Sequence, residues 1–156
     1  MTLGRRRAGD AISASADELA RVWRSGRATA RPAAFPGLLD GLVESFLFAA
    51  GDGIANGRDP ALAWPATEGV VRVDARDPEV TRAELDAEWD LVEEVLVAAL
   101  HALEVDDEAL EWAARAVVIG RAGTRALEGG GPPGILLVRL HSDPAAMRRA
   151  RTGGSS

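Results

Sequence analysis

Three residue types in this chain could do chemistry by their kind and spacing: histidine, paired carboxylates and serine. His101 lies in "VLVAALHALEV" and His141 in "RLHSD". A histidine that accepts phosphate stands beside an acid with a proline a few residues on, or ahead of x-Leu-Lys-Gly. His101 is followed by Ala102, Leu103 and Glu104, which fits neither. A helical histidine can also ligate haem, but no neighbour of His101 selects haem over a packed or solvent-facing edge. A pH switch needs a charged partner, and the sequence supplies none. Glu84 and Glu88 lie one helical turn apart, as do Glu104 and Glu108. Buried together, such pairs do acid–base work; on amphipathic helices they read first as a solvated face. A di-iron carboxylate site needs Glu-x-x-His, yet Ala98 and Val138 stand three residues before the two histidines. Ser45 is in no Gly-x-Ser-x-Gly turn, and "GGGPPG" lacks the Lys-Ser/Thr of a phosphate loop.

Composition narrows the chemistry further. Cysteine, tyrosine, lysine and glutamine are absent from the 156 residues. That removes thiolate nucleophiles, cysteine metal sites and disulfides, and lysine Schiff bases and tyrosine acids. All 18 basic residues are arginine. Charge is uneven: residues 1–31 carry net +4, 32–130 net −13 and 131–156 net +3. An acidic body argues against nucleic acid as a partner, and the basic ends read as solvated termini. The length suits one domain, and 47% apolar residues suit a packed core. No apolar run approaches the ~20 residues of a membrane span. The start lacks the apolar stretch of a secretory signal, so the expected compartment is the cytoplasm.

The elements that must position these residues are helical. Residues 1–14 read as a flexible arm. A first helix is expected over about 16–29, with an apolar stripe of Leu19, Val22 and Trp23, ended by "RPAAFP". The second runs over about 37–56, with Leu39, Leu42, Phe46 and Leu47 among its apolar positions and Gly57 as its stop. "DPALAW" adds a short turn capped by Asp59. The third runs from about Pro78 to Leu103 and has two apolar rows. Leu85, Trp89, Leu96 and Leu103 can face the core; Leu91, Val95, Ala98 and Ala102 then need another cover. The fourth, capped by Asp106 or Asp107, carries Leu110, Ala114, Val117, Val118 and Leu127, while Ala116, Gly120 and Thr124 allow close approach to a neighbour. "GVVRV" and "ILLVRLH" read as strands, and a lone strand must pair. Residues 129–156 otherwise read as a Gly/Pro linker and tail. The expected fold is all-α, a single domain over 15–128 of four main helices with at most one short β pair. Its four tryptophans, Trp23, Trp64, Trp89 and Trp112, read as core anchors.

"TEGVVR" followed by "LDAEWDLVEEVL" resembles the RsbRD amino-terminal domain, the helical input domain of stressosome co-antagonists and some sensor histidine kinases. Gly69 and Arg72 match its Gly and Arg; Glu88, Trp89 and Leu91 match its acid–aromatic pair and following leucine. "LLDGLVESF" and "DPALAW" fall in the same order, and the likeness covers about residues 17–128. Where the family often has a histidine before the glycine, this chain has Glu68. The resemblance implies a globin-like or related fold, often without haem, that dimerises and passes a signal. The expectation is a non-enzymatic signalling or protein-interaction domain, a free-standing input or regulatory module, with no cofactor. Its interaction candidates are Arg72, Glu88, Trp89, Leu91, Val95 and His101, in a homodimer or against a signalling partner. Arg72 is expected to pair with Glu88. The alternative is a small-ligand or haem sensor using His101.

Overall fold

The computed structural model describes residues 4–30, 37–61, 68–73, 78–128 and 134–139; for 68–73, 78–81, 126–128 and 134–139 only the backbone is described. Helices dominate these residues: α1 (Arg5–Ala14), α2 (Ala16–Ala30), α3 (Val43–Asn56), α4 (Pro78–Ala102) and α5 (Asp107–Glu128). Strands β1 (Glu68–Val73) and β2 (Gly134–Arg139) pair antiparallel, with Val70 opposite Leu137. Among the described residues no helix is long and apolar enough to cross a membrane.

The flexible arm expected over residues 1–14 is corrected over Arg5–Ala14, which form α1. Ala8 and Ile12 are buried against the rest of the protein, and α1 lies across α3 at glycine. Gly9 and Ser13 stand one turn apart on α1, as do Gly51 and Ala55 on α3. A Cβ on Gly51 would lie 2.5 Å from the Ser13 nitrogen and 2.6 Å from the Gly9 oxygen. Only glycine lets two backbones approach that closely. Ser13 Oγ also donates to the Phe48 carbonyl at 2.9 Å.

One residue, Ser15, separates α1 from α2. Ala16, Ala20, Trp23 and Arg27 form the buried face of α2, whereas Val22, expected in its stripe, is exposed. α3 begins six residues later than expected. Gly37–Leu42 form turns instead, with Asp40 N–H bonded to Gly37 O and Leu42 N–H to Leu39 O. At its other end Gly57 adopts φ +62°, and Arg58 N–H returns to Gly53 O at 3.0 Å, the 6→1 bond of a Schellman ending. Asp59 caps the next turn through Ala61 N–H at 2.9 Å; residues 62–67, with Trp64, lie outside the described residues.

α4 follows its expected span. Leu85, Trp89, Val92, Leu96 and Leu100 are buried in the core. Asp106 caps α5 through Ala109 N–H at 3.0 Å. The apolar stripe expected on α5 is displaced: Val118 is exposed, while Ala109, Trp112, Ala113, Ala116, Val117 and Thr124 face inward. Small residues win there because the indole of Trp89 from α4 needs the space. A Cβ on Gly120 would lie 2.5 Å from Trp89 Cη2. Each described tryptophan is both buried and hydrogen-bonded, as an indole N–H in a core requires. Trp23 donates to Glu88 O at 3.0 Å, Trp89 to Thr124 Oγ1 at 2.9 Å and Trp112 to Arg58 O at 2.6 Å.

Residues 134–139, within the stretch expected to pair as a strand, form β2. Pairing with β1 satisfies its backbone groups, as a strand beyond the helices requires. Residues 129–133 and 140–156, with His141, lie outside the described residues.

Candidate functional site

The pair Glu84 and Glu88 is not the solvated face that its spacing suggested. α2 crosses α4 where Arg27 is 4% exposed, Glu88 2% and Glu84 13%. Arg27 Nε lies 3.0 Å from Glu88 Oε2, and Arg27 Nη2 lies 3.6 Å from Glu84 Oε2. The Glu88 carboxylate also accepts two backbone bonds from the turn before α3: Leu39 N–H at 2.8 Å on Oε1 and Leu38 N–H at 3.0 Å on Oε2. One side chain on α4 therefore ties α2 and the turn to the same point. Gly37 leaves it room, since a Cβ there would lie 2.6 Å from Arg27 Nε and 2.8 Å from Glu88 Oε1. Arg24 braces the same turn through Asp40, Nε to Oδ1 at 2.9 Å and Nη2 to Asp40 O at 3.2 Å.

Burial pushes the Glu88 carboxyl above its ordinary value of 4.5, and the N–H groups of Leu39 and Leu38 and the Arg27 charge pull against it. A buried carboxylate with both oxygens engaged is a poor general base, because a base must reach the proton it takes. Desolvation is the larger influence because the group is enclosed, which is the usual cost of a buried ion pair.

A second ionic group joins α4 to α5 at the surface. Arg121 bonds Asp86 Oδ1 at 3.2 Å and Asp90 Oδ1 at 2.6 Å; Arg125 spans both Asp86 oxygens at 2.7 and 2.9 Å. Desolvation raises the Asp86 carboxyl, but the hydrogen bonds and charges of Arg125 and Arg121 outweigh it and hold the group below 3.8.

No family model matches this chain, and neither a curated protein nor a solved structure matches it. What the site can do rests on its own geometry. Beside the Arg27 cluster, Gly26, Ala30, Ala87, Leu91 and Glu94 line a cleft of about 220 Å³. Among the described residues no cluster of three or more His, Cys, Asp or Glu could hold a metal ion.

The expected interaction residues divide sharply. Glu88 and Trp89 are interior. Trp89 stands edge-on to Phe46, ring centres 4.9 Å apart. Val95 is corrected: it is 8% exposed and belongs to the protein's own core, because α4 is covered there from within the chain. Leu91 is half-buried, with its Cδ2 3.4 Å from a Cβ built on Gly26. Ala98, His101 and Ala102 are exposed in the last turns of α4. The Arg72 side chain lies outside the described residues. Sequence reasoning missed Arg27 as the partner of Glu88. Its signal was there: Arg27 continues the Ala16, Ala20, Trp23 row at helical spacing, and a charge in an apolar row calls for a counter-charge.

Proposed function

We propose that this chain is a non-enzymatic signalling or protein-interaction domain, a cytoplasmic input or regulatory module of the RsbRD amino-terminal kind. In this reading α2–α5 form a four-helix, globin-like bundle. It pairs as a homodimer, can engage a further signalling protein and contacts neither nucleic acid nor membrane. The observation that carries the reading is the two-sided character of α4. Its Glu88–Trp89 pair is engaged by α2, α3, α5 and the turn before α3. The same helix presents Ala98, His101 and Ala102 to solvent. A change at that open surface would be passed to the core through one rigid element. The committed state of Glu88, with both oxygens bonded inside the fold, supports the absence of acid–base catalysis. The acidic body supports the absence of nucleic acid.

Light scattering on the purified protein tests the dimer. A twofold pair is expected at micromolar concentration, burying more than about 1,000 Å² in total. Ala98→Glu should give a folded monomer with an unchanged circular dichroism spectrum, because the side chain is outside the core. A wild-type monomer rejects the assembly; a dimer that tolerates Ala98→Glu removes the end of α4 from its interface. A visible spectrum tests the alternative sensor reading: no haem band is expected, and one lost in His101→Ala would replace the present proposal.

A further inference from the structure

The end of α3 holds an Asn–Gly pair whose glycine ends the helix and whose asparagine none of the arrangements above uses. Asn56 is exposed, and Gly57 follows it at φ +62° with nothing within 4 Å of the position a side chain would take. The Gly57 N–H is shared between Gly53 O and Ile54 O, the latter at 3.4 Å, while the next N–H, from Arg58, makes a 3.0 Å bond to Gly53 O. The Gly57 nitrogen is thus the more weakly held of the two, and the asparagine before it is exposed. The Asn56 amide is itself restrained, since Nδ2 donates to Asp52 O at 2.9 Å and to Asp52 Oδ1 at 3.0 Å.

We propose that Asn56–Gly57 is a spontaneous deamidation site, and that Asp52 sets its rate by holding the asparagine amide in the helical turn. The Gly57 nitrogen, having lost its proton to solvent base, attacks Asn56 Cγ. A new C–N bond closes a five-membered imide, the Cγ–Nδ2 bond breaks and ammonia leaves. Water then adds to either imide carbonyl and opens the ring, leaving aspartate or isoaspartate at position 56. No oxidant or reductant takes part. Ring closure requires position 56 to leave its helical conformation, and the two bonds to Asp52 oppose that movement.

The product acts on the fold through charge. An amide that donated to Asp52 becomes a carboxylate facing it, at a helix C-terminus where negative charge is unfavourable. Arg58 Nη1 lies 3.1 Å from Asp52 Oδ2, and the Arg58 carbonyl is the acceptor for the Trp112 indole. Loosening of the last turn of α3 is therefore read out at Trp112.

The full chain, kept folded in warm, mildly alkaline buffer, is followed by peptide mass mapping and tryptophan emission. A gain of about 1 Da on the peptide holding Asn56, the mark of amide-to-acid conversion, is expected together with an isoaspartate signal. Asp52→Ala should convert several-fold faster; it folds, because its side chain is 41% exposed and alanine favours helix. Asn56→Gln should stop the conversion at this position, since its ring closure is slower. No gain at Asn56 in the folded chain, while the urea-unfolded chain converts, overturns the site. An unchanged rate in Asp52→Ala overturns the role of Asp52, and Trp112 emission that ignores conversion overturns the coupling.

Discussion

Replacing Glu88 by alanine should be among the most damaging single changes in this protein. The substitution takes from Arg27, itself 4% exposed, the nearer of the two carboxylates it faces. It also strips the acceptors from two N–H groups, that of the fully buried Leu39 and that of the half-buried Leu38. Breaking a buried pair by removing one partner costs about 3–5 kcal/mol, mostly through the charge left behind. An orphaned buried donor costs about 1–3 kcal/mol. The terms overlap, so a total of about 4–6 kcal/mol is expected. That is a large part of the roughly 5–15 kcal/mol that holds a domain together. Glu88→Gln keeps one good acceptor and the shape, so about half that loss is expected. Glu84→Gln should matter least, because Glu84 stands farther from Arg27 at 3.6 Å. Urea titration followed by circular dichroism gives these values from midpoints at constant m. Gly37→Ala, crowding the same atoms, should be non-additive with Glu88→Gln, as residues sharing one network are. If Glu88→Ala falls within about 1 kcal/mol of wild type, the range of an ordinary surface change, the clamp does not hold the fold.

Two further outcomes follow from the geometry. Gly51→Ala places a Cβ 2.6 Å from the Gly9 carbonyl and should lift α1 from α3. Hydrogen exchange should then show residues 5–14 losing protection while α4 keeps it; equal protection in both proteins would refute the close crossing. The two shifted carboxyls should titrate on opposite sides of their ordinary values, with NMR midpoints above 4.5 for Glu88 and below 3.8 for Asp86. By linkage, the Asp86 contribution to stability is present above about 3.8 and is lost as pH falls through its depressed pKa. The Glu88 contribution runs the other way, full below about 4.5 and lost as pH rises through its raised pKa. Midpoints in the reverse order would refute both assignments.

Helical spacing alone located α2, α4 and α5, because a 3.6-residue apolar period is written within each segment. The local signals of Asp59, Asp106 and Gly57 marked ends for the same reason: each acts on backbone groups a few residues away. The missing cysteine, lysine and tyrosine likewise closed off whole classes of chemistry without any coordinates. Three features were decided only in the tertiary structure. α1 is held by backbone meeting backbone at Gly9 and Gly51, a contact that has no apolar period to read. The start of α3 is delayed because Glu88, 50 residues from Leu38, captures N–H groups there. The character of Glu84 and Glu88 turned from solvated face to buried anchor because Arg27 arrives from another helix. Periodicity records which face of a helix is apolar, but the fate of a charge depends on what the fold places opposite it. A carboxylate facing water and one facing a buried guanidinium are spelled alike, and desolvation separates them only once the chain has folded.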